Sequence, residues 1–406
     1  MINLSNLHAR RAFRKRGAAG SMVILNPAFM YAGVWLLVLF LYSLGLSDVL
    51  DPLETSTVVL VIGSSLSFIF GWVLESLSMR GRLAAPGPNL RVLQPAIGSY
   101  RVGRALKAVW IAFGLGLAFE IAYFGAAPAM GALGVGPEIL YTDFGIPGFH
   151  GFLNALFYCG CTVQLARILL GSSRGAWTLT VISLAYPMLV MSRQVLISLL
   201  LQYLIIYLSL KVLSIKVIIR SGVLFGIVLL TFGYFGDIRS GREHIIALAA
   251  PTFDYPEWLP SAFIWVYIYL CTPLNNVNYN ISIAPNYLPL ETAGTLIPSF
   301  AREAFINALG GSRQWELVTE SFNVSSLLQS LLIDFGVTGT IIFTLLCGIG
   351  FSRLMRNASN NPAAFFAVVV LLHGIALSFF ANLLFHLVFV FEIIIIFWMM
   401  NQGRKS

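Results

Sequence analysis

Apolar and polar positions alternate along this chain in long blocks, not residue by residue. A helix needs about 20 apolar residues to cross a bilayer core, and runs near that length recur through the sequence. They extend from about Pro27 to Leu46, Thr57 to Leu77, Ala108 to Ala126, Phe152 to Leu170, Ala176 to Met191, beyond Gln194 to Lys211, Ser221 to Phe235, Val337 to Phe351, Ala363 to Phe380 and Leu387 to Met400. None has the short two-residue alternation of a membrane barrel strand. The pattern predicts an all-α polytopic membrane protein of about ten transmembrane helices. Polar blocks then divide it into a basic N-terminus (1–26), spans one to seven (27–236), a large loop with short helices (237–336) and spans eight to ten with the C-terminal tail (337–406).

Composition agrees, since 58% hydrophobic and only 10% charged residues belong to no soluble class. A net charge of +8 would suggest nucleic acid in a soluble protein; here it is segregated by topology, and no nucleic-acid partner is expected. Arg10, Arg11, Arg14, Lys15 and Arg16 precede the first span, and Arg80 to Lys107 fill the second connector. The loops SDVLDPLETS and APAMGALGVGPEILYTDFGIPGFHG hold acids and no Lys or Arg. The positive-inside rule therefore puts both termini in the cytoplasm and residues 237–336 outside. Cys159, Cys161, Cys271 and Cys347 sit in or beside apolar runs and read as small buried side chains.

The basic residues left on the outer side are all arginines: Arg193, Arg239, Arg242, Arg302 and Arg313. Arginine grips phosphate oxygens with a planar fork that keeps its charge, so a diphosphate at the membrane surface is the natural ligand. The simpler alternative is local pairing, Glu243 with Arg242 and Glu303 with Arg302, or snorkelling of Arg193 to headgroups. Within the loop, Ala262 to Cys271 is too short to span and is expected to end at Pro273 as an interfacial or re-entrant helix. Pro298 and Ser299 open a second short helix that Gly310 and Gly311 close, placing Arg302 on it and Arg313 beyond. Tyr255, Trp258, Trp265, Tyr269 and Trp315 offer faces for sugar stacking, or form an interfacial belt. Asp334-Phe335-Gly336 breaks the helix at span eight and leaves Asp334 at its outer mouth.

Glu243, His244 and Asp334 are the first candidate bases; His150 and His386, at other outer ends of spans, could act as bases too, although a lone histidine at a helix end is more often simply hydrogen-bonded. Glu120 and Glu392 are costly inside a membrane and require a partner or a cavity. No Walker A pattern, kinase motif set or metal-ligand spacing occurs, so no cofactor and no metal are expected. The energy for any reaction must come from the substrate.

The ten-span layout, the Ser192-Arg193-Gln194 turn, FGDIRSGRE at the start of the large loop, YLCTPLNNVNYNI and DFGVTG together resemble the Wzy-type repeat-unit polymerases of bacterial O-antigen synthesis. The likeness covers most of residues 150–355. It implies a GT-C-like glycosyltransferase of the bacterial inner membrane, acting on undecaprenyl-diphosphate-linked oligosaccharides among inner membrane lipids, with a chain-length regulator as an optional further partner. Arg193, Arg239 and Arg242 would then hold one lipid diphosphate, and Arg302 and Arg313 the second. An O-antigen ligase, a flippase for the lipid-linked unit and an assembly subunit with a binding loop remain the alternatives.

Overall fold

A computed structural model describes residues 25–78, 88–211, 241–309, 315–319 and 324–404, with Ile219, Gly222, Val223, Gly226 and Asp237 between them. Its helices are α1 (Pro27–Ser43), α2 (Thr55–Ser78), α3 (Leu90–Gly98), α4 (Tyr100–Phe124), α5 (Pro128–Ala132), α6 (Phe149–Leu169), α7 (Ala176–Leu189), α8 (Arg193–Leu210), α9 (Arg242–Ala249), α10 (Ala262–Tyr279), α11 (Leu290–Gly294), α12 (Ser299–Ala308), α13 (Leu327–Ala358), α14 (Pro362–Ala376) and α15 (Leu387–Arg404). The one β-type pairing among the described residues is a bridge between Ser47 and Pro251.

The helices α2, α4, α6, α8 and α13 are long and apolar enough to cross a membrane, and α1, α7, α14 and α15 are shorter apolar helices. They coincide with the expected spans except the seventh, Ser221 to Phe235, of which only Gly222, Val223 and Gly226 are among the described residues. Their outward faces are greasy: Leu66 is 62% exposed and Leu115 68% exposed. Such a surface suits lipid, and the molecule has the architecture of a multi-pass helical membrane protein.

Two groups of helices are joined by α14. In the first, α1 and α13 pack on α2; in the second, α4, α7 and α8 pack on α6, with α15 against α4 and α6. The α2–α13 contact is the most extensive. It is made by small residues, because a Cβ at Gly71 would lie 2.1 Å from the Leu345 carbonyl oxygen and one at Gly348 2.2 Å from that of Phe68. Lipid supplies no hydrophobic force between helices, so close backbone approach of this kind holds them instead. Ser67 adds a hydrogen bond from Oγ to the Ile341 carbonyl at 2.6 Å.

The two ends of the bundle differ in chemistry. At the basic end, Glu75 pairs with Arg353 at 3.1 Å and with Arg356, closing α2 onto α13. Arg167, on α6, donates to the Ile97 and Ser99 carbonyls at the end of α3, where the helix leaves carbonyls unpaired. The connector expected as a basic loop is thus partly helical: α3 buries Leu93 and Ile97, and α4 begins at Tyr100 with Ser99 accepting from the Val102 N–H.

At the opposite, loop-bearing end the structure corrects the expected stop at Pro273, since α10 runs on to Tyr279. Beyond the proline its face is lined with asparagines, whose side-chain amides imitate peptide groups. Asn275 Oδ1 accepts from the Tyr42 hydroxyl and the Asp51 N–H, and its Nδ2 donates to the Val49 carbonyl. Asn278 does the same for Glu54 and Pro52, and Asn276 for Val318 and Val324. Helix α10 is therefore a spool on which two loops are wound. Asn275→Leu should strip these bonds from buried groups and destabilise the protein by about 2–4 kcal/mol, read as a lower melting temperature in detergent; an unchanged midpoint would mean the loops are held elsewhere.

Candidate functional site

Arg193 is the first residue of α8, directly after the turn at Met191 (φ 53) and the Ser192 cap, whose Oγ accepts from the Val195 N–H. It is exposed at the loop-bearing end. A cation at a helix N-terminus opposes the helix dipole. Burial raises the Tyr269 phenol above its usual range, and the charge of Arg193 acts in the opposite sense. Tyr269 in turn lies against Trp265 at 5.1 Å and Phe380 at 6.2 Å between ring centres. An arginine beside an aromatic wall results.

Arg302 is half-buried on α12, which Pro298 opens as expected. Its stem passes Gly294 of α11, and its Nη2 donates to the Ile297 carbonyl at 3.4 Å. Across from it is His386, whose imidazole is pushed down to about 4 by burial and then by the Arg302 charge. The ring is therefore neutral at neutral pH. The segment carrying Phe380 and His386 connects α14 to α15 and thus runs from the Arg193 aromatic wall to Arg302.

The other expected residues divide. Arg242 is turned to the backbone: Nη1 and Nη2 donate to the Leu259 and Pro256 carbonyls at 3.1 and 2.9 Å, with the guanidinium 5.8 Å over the Tyr255 ring. It fastens the 255–260 turn, and among the described residues no ion pair joins it to Glu243. Glu243 and His244 are exposed beside it on α9, which packs on α10. Arg239 and Arg313 lie outside the described residues.

Asp334, expected at the outer mouth of span eight, is fully buried. Its two oxygens accept the Glu291 and Thr292 N–H groups at 2.8 and 2.9 Å, so it caps α11, whose own cap position is a proline with no side-chain bond. The expected break is present. Gly336 adopts φ 67, ψ −176, which only glycine tolerates, and the freed Ile333 carbonyl accepts the Asn286 N–H at 2.9 Å.

Sequence reasoning missed several polar side chains near these elements. Gln329 and Asn382 are buried, and both amide atoms of each meet no hydrogen-bond partner among the described residues; the same holds for Thr292 Oγ1 and Ser378 Oγ. The Ser378 carbonyl accepts the Leu327 N–H at 2.8 Å, which brings the α14–α15 connection to the start of α13. Buried polar atoms left in this state mark places where a polar ligand can bind. An isolated Gln or Asn in an apolar run was the available signal. Of the acids predicted to need partners, Glu392 accepts from Gln202 Nε2 at 3.0 Å, and Glu120 meets His150. All four cysteines are unpaired, three of them buried.

No protein-family model, curated protein or solved structure matches the chain.

Proposed function

We propose that this protein is a GT-C-like, ten-span glycosyltransferase of the bacterial inner membrane, with both termini cytoplasmic, that polymerises undecaprenyl-diphosphate-linked repeat units into O-antigen or a related surface glycan. The growing chain moves from its lipid diphosphate to the non-reducing sugar of an incoming unit. The observation that carries this reading is Arg193: a cation at the N-terminus of an apolar helix, exposed at the loop-bearing end and near enough to Tyr269 for its charge to act on that phenol. Helix N-termini and arginines both favour phosphate, and the aromatic wall suits a sugar or isoprenoid face. Arg302 supplies a second cation for the second diphosphate. Stabilising the charge that develops on a departing diphosphate is the main chemical demand of this reaction, and fixed cations near a low-dielectric surface meet it. The buried amides of Gln329 and Asn382 add hydrogen-bonding capacity of the kind glycan hydroxyls use. Arg242, being engaged with backbone carbonyls, is assigned to holding the loop.

The test is the surface glycan of a deletion strain complemented with wild type or with Arg193→Ala. Wild type restores a ladder, and Arg193→Ala leaves core plus a single unit with membrane levels unchanged, a loss of at least about 100-fold in longer chains. Long chains accumulating on the carrier lipid would instead make the protein a ligase. A deletion strain with an unaltered ladder, or with lipid-linked units trapped on the cytoplasmic face, would sink the polymerase reading, the latter in favour of a flippase.

A further inference from the structure

Glu120 and His150 are 30 residues apart and meet at the loop-bearing end. An ionised carboxyl in apolar surroundings is tolerated only with good partners, and Glu120, at 0% exposure, has two. Its Oε1 accepts the Ile146 N–H at 3.0 Å and its Oε2 lies 2.8 Å from His150 Nδ1. A carboxylate can only accept, so Nδ1 carries the proton of this bond, and in the neutral tautomer that keeps it there Nε2 holds the lone pair. The ring is kept in place by Phe144, edge-on at 5.7 Å, and by Gly145, where a Cβ would stand 2.6 Å from the imidazole Cγ. The side chain is nonetheless 24% exposed, and Nε2 has no hydrogen-bond partner among the described residues.

The surroundings of the dyad tie it to the site. Gly148 abuts Pro298 and Phe300, the latter two residues before Arg302 on α12, and Gly151 abuts Val388, two residues after His386. The 145–151 segment thus packs against both elements that carry the Arg302 subsite. His386 is nearer Arg302, but it has no carboxylate partner among the described residues, and its buried Nδ1 meets no hydrogen-bond partner there. Both Asp334 oxygens accept backbone N–H groups, and Glu243 and His244 are exposed on α9 with no buried group orienting them among the described residues.

We propose that His150 is the general base of glycan transfer and that Glu120 positions it, an inference that rests on the polymerase reading. The acceptor sugar hydroxyl gives its proton to His150 Nε2 as its oxygen bonds to the anomeric carbon of the growing chain. The bond from that carbon to the diphosphate oxygen breaks, and its electron pair leaves with the lipid diphosphate. The resulting imidazolium is stabilised by the Glu120 carboxylate until the proton passes to water.

Purified full-length protein in lipid nanodiscs, supplied with undecaprenyl-diphosphate-linked repeat units, provides the test. His150→Ala should lower turnover about 100-fold, and added imidazole should restore at least about a tenth of the lost rate by entering the vacated space beside Glu120. Glu120→Gln should lower kcat about tenfold at unchanged KM. Independently of turnover, diethyl pyrocarbonate should modify His150 Nε2, read by peptide mass. An unreactive His150 overturns the assignment through its geometry. Turnover of His150→Ala within about threefold of wild type, or a loss that imidazole leaves untouched alongside a lowered melting temperature, overturns it in favour of a structural pair. Wild type that joins no units, under conditions where His150 is still modified, overturns the polymerase reading and the base role with it.

Discussion

Gly348→Val should leave almost no folded protein in the membrane. A Cβ at this position would stand 2.2 Å from the Phe68 carbonyl oxygen and 3.0 Å from the Trp72 nitrogen, all backbone atoms of α2 that cannot rotate aside. Relief requires the two helices to separate along the most extensive helix contact in the molecule. Separation would also break the Ser67 bond to Ile341 and the 3.2 Å contact between the Ser76 and Ser352 hydroxyls. Overpacking a core costs about 1–3 kcal/mol where side chains can adjust; here the obstacle is a carbonyl, so the upper end is the floor. Gly350 provides the control. Nothing lies within 4 Å of a Cβ there, and Gly350→Ala should be neutral or slightly stabilising by helix propensity. Fluorescence-detected size exclusion and thermal melting in detergent separate the two outcomes. A Gly348→Val protein that melts with wild type would show that α2 and α13 do not meet at this crossing.

The apolar helices were legible because a bilayer constrains each one locally: length and hydropathy suffice, whatever the helix later packs against. Partners were not. Thr340, Thr344, Gly348 and Ser352 recur every four residues along one buried face of α13, yet nothing in that stripe says that its mate lies near residue 71. Proline gave a misleading stop at 273, because α10 beyond it is held by asparagine amides that accept from and donate to the backbone of distant loops. In the site, Arg193 was visible as a charge ending an apolar run, and it keeps that role in space. Arg242 looked equivalent, but its guanidinium is turned to carbonyls that only folding brings near. The Glu120–His150 pair shows the same limit: each residue was conspicuous alone, and only the fold joins them.

Asp334→Ala and Asp334→Asn should behave differently, and the difference separates a helix anchor from a catalytic base. Both oxygens of Asp334 receive N–H groups from the first turn of α11, in a place with no access to solvent. Alanine leaves two buried donors bare, a cost of about 1–3 kcal/mol each. Helix α11 would then detach from α13, and with it the support that Gly294 gives to the Arg302 stem. Chain growth should fall together with the melting temperature. Asparagine retains one acceptor oxygen, so it should lose about half of that stability and keep at least about a tenth of the chain growth. A base has no such gradation, since neither alanine nor asparagine takes up a proton at neutral pH. If both variants melted like wild type and neither extended a chain, Asp334 would be acting on substrate, and the anchoring role drawn from its two short hydrogen bonds would have to be abandoned. The graded result would instead leave the proton of the acceptor hydroxyl to the only carboxylate–imidazole pair among the described residues, Glu120 with His150.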